Sequence, residues 1–313
     1  MELNLPPTFY PHLRPHLDRE LVGPANEFMC RSSKVVRKRL VRAGFLLERP
    51  TGPSPMEETR IGALGDALEM IHSASLIIDD IQDGSPTRRG KESVHVLIGT
   101  AKAINVGNWL YFQGLQKVDE IGLDDRTTLS LLRLFRRALV EGHAGQALDL
   151  GVPISQADRA LVPDICAAST RLKSGGLAGL AFAGGAILAG AEEYSRAFKT
   201  GESIGILLQS LDDLKNLKFD KDTPDKQFED LRNQRPGLVW AAAASHERRE
   251  CWDELLVALP NEAKIEAWLK EYQIMERERE RVDMRLRFLS GRLQGQKEIE
   301  EVFALLVGAY EKL

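Results

Sequence analysis

The sequence predicts an all-α protein of one domain, residues 1–313, on three observations. Ala, Leu, Glu, Arg and Lys, which lose little conformational freedom in a helix, dominate the chain. Runs of alternating β-branched residues, the mark of strands, are nearly absent. Helical patterns recur with only short breaks, at Thr51-Gly52-Pro53-Ser54-Pro55, Gly84-Ser85-Pro86, Gly151-Val152-Pro153 and Asp222-Thr223-Pro224. The 313 residues are 43% apolar and 28% charged, enough for a sizeable core, and no Pro/Gly/Ser-rich linker, repeat or low-complexity tract divides them.

In chain order the pattern places helices at 15–30, 32–48, 56–81, 91–99, 101–118, 125–147, 155–173, 175–190, 192–217, 225–233, 236–245, 248–258, 261–290 and 294–312. The opening MELNLPPTFYPHL has no basic region followed by an apolar one, so no signal peptide is expected. The basic stretch from Arg31 to Arg42 is interrupted by Val and Leu and reads as one helix face. With a net charge of −4 and a pI near 6, that argues against a general nucleic-acid binder. The longest uncharged stretch, residues 175–191, lies at the low end of the roughly 17–25 residues that span a bilayer. Its Gly and Ala content makes it a buried, tightly packed helix rather than a membrane span. The charge-dense run ERERERVDMRLR (276–287) reads as a solvated helix face laced with i,i+4 ion pairs. Cys30, Cys166 and Cys251 are far apart and odd in number, the pattern of reduced thiols in a cytoplasmic or other intracellular protein.

Two acidic clusters carry the chemistry. Asp79-Asp80-Ile81-Gln82-Asp83 follows the apolar run ASLII, and Asp212-Asp213-Leu214-Lys215-Asn216 follows IGILLQSL. Positions i and i+4 share a helix face, so Asp79 and Asp83 point the same way, where like charges repel. Each cluster lies near the C-terminal end of a predicted long helix, whose partial negative charge adds to the field. Carboxylates so placed call for a cation. Oxygen ligands and the lack of a His/Cys cluster favour Mg2+ over zinc. Mg2+ combines a few carboxylates with substrate phosphates, and clusters that converge would bracket a metal–diphosphate complex. Arg88-Arg89 and Lys173, which precedes Ser174-Gly175-Gly176, supply cations suited to phosphate oxygens.

From about residue 20 to 245 the chain resembles the trans-isoprenyl diphosphate synthases, most of all the eukaryotic-type geranylgeranyl diphosphate synthases and the fungal geranylgeranyl transferases of indole-diterpene pathways. EMIHSASLIIDDIQDGSPTRRG (69–90) resembles the family's first aspartate-rich motif with its Arg pair, Lys173-Ser174-Gly175-Gly176 its KTGG element, and GILLQSLDDLKNL (205–217) its second aspartate-rich motif. NVGNWLYFQGLQKV (105–118) and GHAGQALDL (142–150) are also similar to family segments.

The resemblance implies a helical bundle around a deep central cavity, usually a homodimer, performing head-to-tail chain elongation. It makes Asp79, Asp83 and Asp212 ligands of Mg2+, three ions per active site with Mn2+ as a substitute, supported by Asp80, Asp213 and Asn216. Arg88 and Lys173 hold the allylic diphosphate, and Lys173 counts with the three aspartates as catalytic. Lys34, Arg37, His72 and Arg89 hold the second substrate's diphosphate, and Gln209 and Lys226 complete the substrate set. Lys34 and Arg37 stand in register with a GK-x-x-R motif whose glycine is here Ser33. Small Ala74 and Ser75, one turn before the first motif, leave room for a growing chain, where aromatic residues would stop it at about fifteen carbons. Trp109 and His143 lie where eukaryotic-type members of the family have bulky floor residues deeper in the tunnel, which points to a twenty-carbon product.

The departures lie on the acceptor side: Leu208-Gln209 in place of Phe-Gln, Asn233-Gln234-Arg235-Pro236 in place of a Lys-bearing EGK-type segment, and Gly-Val-Pro after residue 150. They leave two acceptors open, isopentenyl diphosphate and, alternatively, indole-3-glycerol phosphate, both of which fit a phosphate clamp. A class I terpene cyclase lacks its second metal motif here. A noncatalytic partner subunit would not need paired carboxylates.

Overall fold

The computed structural model describes residues 10–31, 36–151, 153–217 and 227–292. Lys34 and Lys226 lie outside the described residues, as do the predicted helix at 294–312 and the start of that at 225–233. The described residues are predominantly helical, as expected. Its helices are α1 (Arg14–Leu17), α2 (Gly23–Met29), α3 (Val36–Glu48), α4 (Pro55–Asp83), α5 (Val94–Ile98), α6 (Thr100–Asp119) and α7 (Asp125–Gly151). They continue with α8 (Val162–Thr170), α9 (Gly176–Leu188), α10 (Ser195–Lys215), α11 (Glu229–Arg232), α12 (Leu238–Ala244), α13 (Glu250–Ala258), α14 (Glu262–Glu271) and α15 (Ile274–Arg292). Two compact units emerge. One takes in residues up to Val41 and Pro53–Leu132, the other Arg42–Gly52 and the chain from Arg133 onward.

In the first unit α4 is the organising helix. Ser54 caps it, accepting from the Glu57 N–H while the Glu57 carboxylate accepts from the Ser54 N–H, and Pro55 occupies its first turn. Its other end stops on Gly84, whose φ of 65° is the left-handed region. The Ser85 N–H reaches back to the Asp80 carbonyl at 2.9 Å and the Gly84 N–H to that of Ile81, a Schellman motif. The first acidic cluster is therefore the last turn of the helix. α6 packs along α4 at close range, because Gly107 and Gly114 carry no side chain. A Cβ on them would sit 2.8 Å from Ile78 and 2.6 Å from Ile71. Among the described residues α4 is the one helix long and apolar enough to cross a bilayer, yet 56% of that apolar window is buried in the protein.

In the second unit α9 is buried along nearly its whole length, as the glycine-rich run predicts, and packs on α10; α8 packs on α12 and α15 on α10.

Four local expectations are corrected. Residues 87–92, where strand signals are absent, form a minimal antiparallel hairpin, β1 (Thr87–Arg88) and β2 (Lys91–Glu92), with Arg88 opposite Lys91. Arg89 and Gly90 between them both have positive φ, 54° and 75°, as a two-residue hairpin turn that follows strand twist requires. The helix expected over 155–173 begins only at Val162, where Pro163 suits a first turn, after Asp158 has bent the chain by accepting from the Ala160 N–H. The helix expected over 261–290 is two, α14 and α15. Tyr272 buries its ring beside Trp268 and His246, and Gln273 turns the chain with φ 51°. The run at 15–30 is interrupted by a π turn at Asp18–Val22.

Candidate active site

One half of the candidate residues lies on α4 and the hairpin that follows it. Asp79 and Asp83 are half-buried on α4, one turn apart. Asp79 is near enough to Tyr111 of α6 to help burial push that phenol up to about 12. Asp80 is different. It is fully buried, and the Arg88 guanidinium grips its Oδ1 through Nε at 2.7 Å and Nη2 at 2.5 Å. Burial raises the Asp80 pKa, and Arg88 opposes that rise. On α4's preceding turns sit His72 and Glu69. Arg37 of α3 pairs with Glu69 at 3.1 Å. Burial, then the positive charges of Arg37, Arg89 and Arg88, push the His72 pKa well below its usual value, so its ring is neutral at pH 7. The structure therefore gathers Arg37, His72, Arg88 and Arg89 in one region.

Ala74 is fully buried in the apolar cluster of Phe28, Ile77, Val106 and Leu110, and half-buried Trp109 packs against the same cluster. Ser75, also half-buried, turns its hydroxyl onto the His72 carbonyl at 2.8 Å.

The other half of the candidate residues lies on α10 and the π turn Arg171–Gly175 that joins α8 to α9. That turn carries Lys173 and Ser174, and π turns of this kind recur at functional sites. Lys173 Nζ pairs with Asp149 Oδ2 at 3.0 Å. The Ser174 hydroxyl donates to Gln209 Oε1 at 2.7 Å, and Gln209 Nε2 donates to Asp213 Oδ1 at 2.8 Å. The Leu238 N–H donates to the other Asp213 oxygen at 3.1 Å. Both Asp213 oxygens are thus held by the protein, and burial pushes its pKa up to about 6. Asp212, the residue before, is exposed, and Asn216 lies one turn on, lining a small crevice with Asp213, Asp230 and Trp240. His143 is exposed on α7, its Nδ1 2.8 Å from the Leu139 carbonyl.

Three members of this half escape motif reading. Asp149 is the partner of Lys173, and Arg235 donates to the Asp149 carbonyl at 3.1 Å. Asp230 is half-buried near Asp213, and its desolvation followed by that charge pushes its pKa up to about 7. The GQALDL segment contains Asp149, and the departure at residues 233–236 contains Arg235, so the signals were present without their roles.

The two acidic motifs share one logic. In each pair the second aspartate is held by the protein's own donors, Asp80 by Arg88 and Asp213 by Gln209 and the Leu238 N–H, while the first is the more accessible of the two, Asp79 half-buried and Asp212 exposed. Asp79, Asp83 and Asp212 offer only oxygen donors, which suits Mg2+. Among the described residues no three His, Cys, Asp or Glu gather into a ready-made metal cage. An ion held by a few carboxylates together with substrate phosphates needs none.

This arrangement has relatives. The polyprenyl synthetase sequence profile matches residues 18–274. The chain belongs to the polyprenyl synthetase family. Geranylgeranyl pyrophosphate synthase 2 of Zymoseptoria tritici is 30% identical over 223 residues, 68% of this chain and 61% of the relative. Geranylgeranyl pyrophosphate synthase paxG of Penicillium paxilli is 34% identical over 129 residues, 41% of this chain and 32% of the relative. The chain thus spans less than two thirds of the curated relatives it matches. The crystal structure of geranylgeranyl pyrophosphate synthetase from Pyrococcus horikoshii Ot3 superposes with a TM-score of 0.80 at 24% identity, covering 94% of this chain and 90% of that one. That likeness establishes the polyprenyl synthetase chain as having the helical isoprenoid-synthase fold.

Proposed function

We propose that the protein is a Mg2+-dependent trans-prenyltransferase that ionises farnesyl diphosphate and joins it to isopentenyl diphosphate, giving geranylgeranyl diphosphate. The observation that carries the reading is the asymmetry within each aspartate pair. Asp79, Asp83 and Asp212 are the more accessible carboxylates and would hold the metal, while Asp80 is engaged by Arg88 and Asp213 by Gln209 and the Leu238 N–H. Bound Mg2+ would take up charge on the departing diphosphate. Arg88 and Lys173, each poised on a carboxylate, bind the same leaving group, exchanging part of an internal pair for phosphate oxygens. As the C–O bond of the allylic diphosphate breaks, the double bond of isopentenyl diphosphate supplies the electron pair for the new C–C bond. The proton then lost goes to the released diphosphate, so no protein nucleophile is needed. Arg37, His72 and Arg89, with Lys34, hold the acceptor's diphosphate, and a neutral His72 serves as a hydrogen-bonding rather than a charged member. Ile104, Asn108 and Phe112 line one exposed face of α6, which supports assembly as a homodimer.

The test is direct. The protein is incubated with Mg2+ and farnesyl diphosphate, and offered isopentenyl diphosphate and indole-3-glycerol phosphate in separate reactions. The expected result is a twenty-carbon diphosphate in the first and no prenylated indole in the second. Transfer to the indole alone would overturn the acceptor, and untouched farnesyl diphosphate in both would overturn the reaction.

A further inference from the structure

The hairpin turn that carries Arg89 is conformationally disfavoured, and the structure shows what holds it. Arg89 is not glycine, yet its φ is 54°. L-residues reach that region at a cost, so surrounding contacts must fix it. The residues flanking the turn are tied to the Glu27 carboxylate of α2, Lys91 directly and the Arg88 backbone by way of Arg31. Glu27 Oε1 accepts from Lys91 Nζ at 2.9 Å. The same carboxylate takes the Arg31 guanidinium, Nη2 to Oε2 at 2.8 Å and Nε to Oε2 at 3.0 Å. Arg31 Nη1 in turn donates to the Arg88 carbonyl at 3.2 Å, 57 residues away in sequence. The Arg31 side chain is wholly buried, at 0% exposure, and its guanidinium lies 5.1 Å from the centroid of the Phe28 ring. The Arg89 guanidinium lies 5.3 Å from that same ring. A buried arginine spent on one backbone carbonyl and one half-exposed glutamate is far from a surface ion pair. Its five donors in a rigid fork suit a clamp that a lysine could not reproduce.

We infer that Glu27 and Arg31 form a positioning clamp. It holds the Arg88–Lys91 hairpin turn so that Arg89 is presented to the acceptor's diphosphate. Neither residue touches substrate. The inference rests on the proposed placement of that diphosphate at Arg37, His72 and Arg89.

The experiment measures KM for isopentenyl diphosphate and for farnesyl diphosphate, with kcat, in Arg31→Leu, Arg31→Lys, Glu27→Gln and, as a reference, Arg89→Ala. The clamp predicts that Arg31→Leu raises KM for isopentenyl diphosphate at least ~10-fold, with KM for farnesyl diphosphate changed less than about 3-fold. Arg31→Lys should recover only part of the loss, since it keeps the charge but not the fork. Glu27→Gln, at a half-exposed position, reports on the clamp even if Arg31→Leu fails to fold, and should shift the same KM in the same direction. An acceptor KM unchanged in both Glu27→Gln and a folded Arg31 variant, while Arg89→Ala raises it, would overturn the clamp alone. An acceptor KM that Arg89→Ala also leaves unchanged would overturn the acceptor placement, and the clamp with it.

Discussion

Asp79 and Asp80 are neighbours in sequence with opposite environments, and the difference sets distinct costs for losing each. Asp80 is at 0% exposure and answers the Arg88 charge. Asp80→Ala would leave that guanidinium without its buried partner and should cost about 3–5 kcal/mol of stability, read from urea melts. Asp79→Ala removes a half-buried rather than a fully buried carboxylate, so it should cost less stability than Asp80→Ala while losing turnover by orders of magnitude. Equal effects of the two on melting would sink the distinction. Asp230 gives a pH signature. Its folded pKa of about 7 stands above the ordinary 3.8, so the folded state holds the proton more tightly than the unfolded chain does. The stabilisation from that proton is complete below the unfolded pKa and is lost as pH rises through 7. The melting temperature in EDTA should therefore fall between pH 5 and 8, and Asp230→Asn should flatten the fall. A slope unchanged by the substitution would remove Asp230 as its source. The motifs made Asp79, Asp83, Asp212, Lys173 and the Arg pair legible. Asp149, Asp230 and the internal partners of Arg88 and Lys173 were not, because a carboxylate's role there depends on which helix lies beside it.

At the scale of elements, the ends of helices place the chemistry. α4 stops where Gly84 turns left-handed, and that stop makes the first motif a terminal turn. The contact of α4 with α6 depends on Gly114, where a Cβ would meet Ile71 at 2.6 Å. Gly114→Val should cost roughly 1–3 kcal/mol by overpacking, and a wild-type urea midpoint would contradict the close approach. Trp109, beside the cluster that holds Ala74, is the residue whose truncation should lengthen the product. Trp109→Ala is expected to yield chains beyond twenty carbons by mass, and an unchanged product would remove it from the length limit. Long helices were legible from periodicity. The hairpin was not, since two-residue strands have no period to read, and its signal was the Arg89-Gly90 turn alone. Nor was the break at Tyr272–Gln273, which comes from one buried ring. The charge-rich run in α15 was only partly a solvated face: Val282 and Leu286 are buried, and Glu278 is too, paired with Arg281.

For the whole molecule, the family and the helical fold follow from order as much as from content. Aspartates at a helix end, an Arg pair, a Lys before glycines and a second aspartate pair occur in one sequence, and each finds its environment in its own unit. In the proposed reaction Asp79 and Asp83 of α4 and Asp212 of α10 serve one ionisation step. The most direct test is the rate at which a folded Asp212→Ala protein converts farnesyl and isopentenyl diphosphates at saturating Mg2+, beside wild type. The account predicts a loss of about 100-fold or more with unchanged melting, since Asp212 is exposed and offers its oxygens outward. Turnover near the wild-type rate would contradict it.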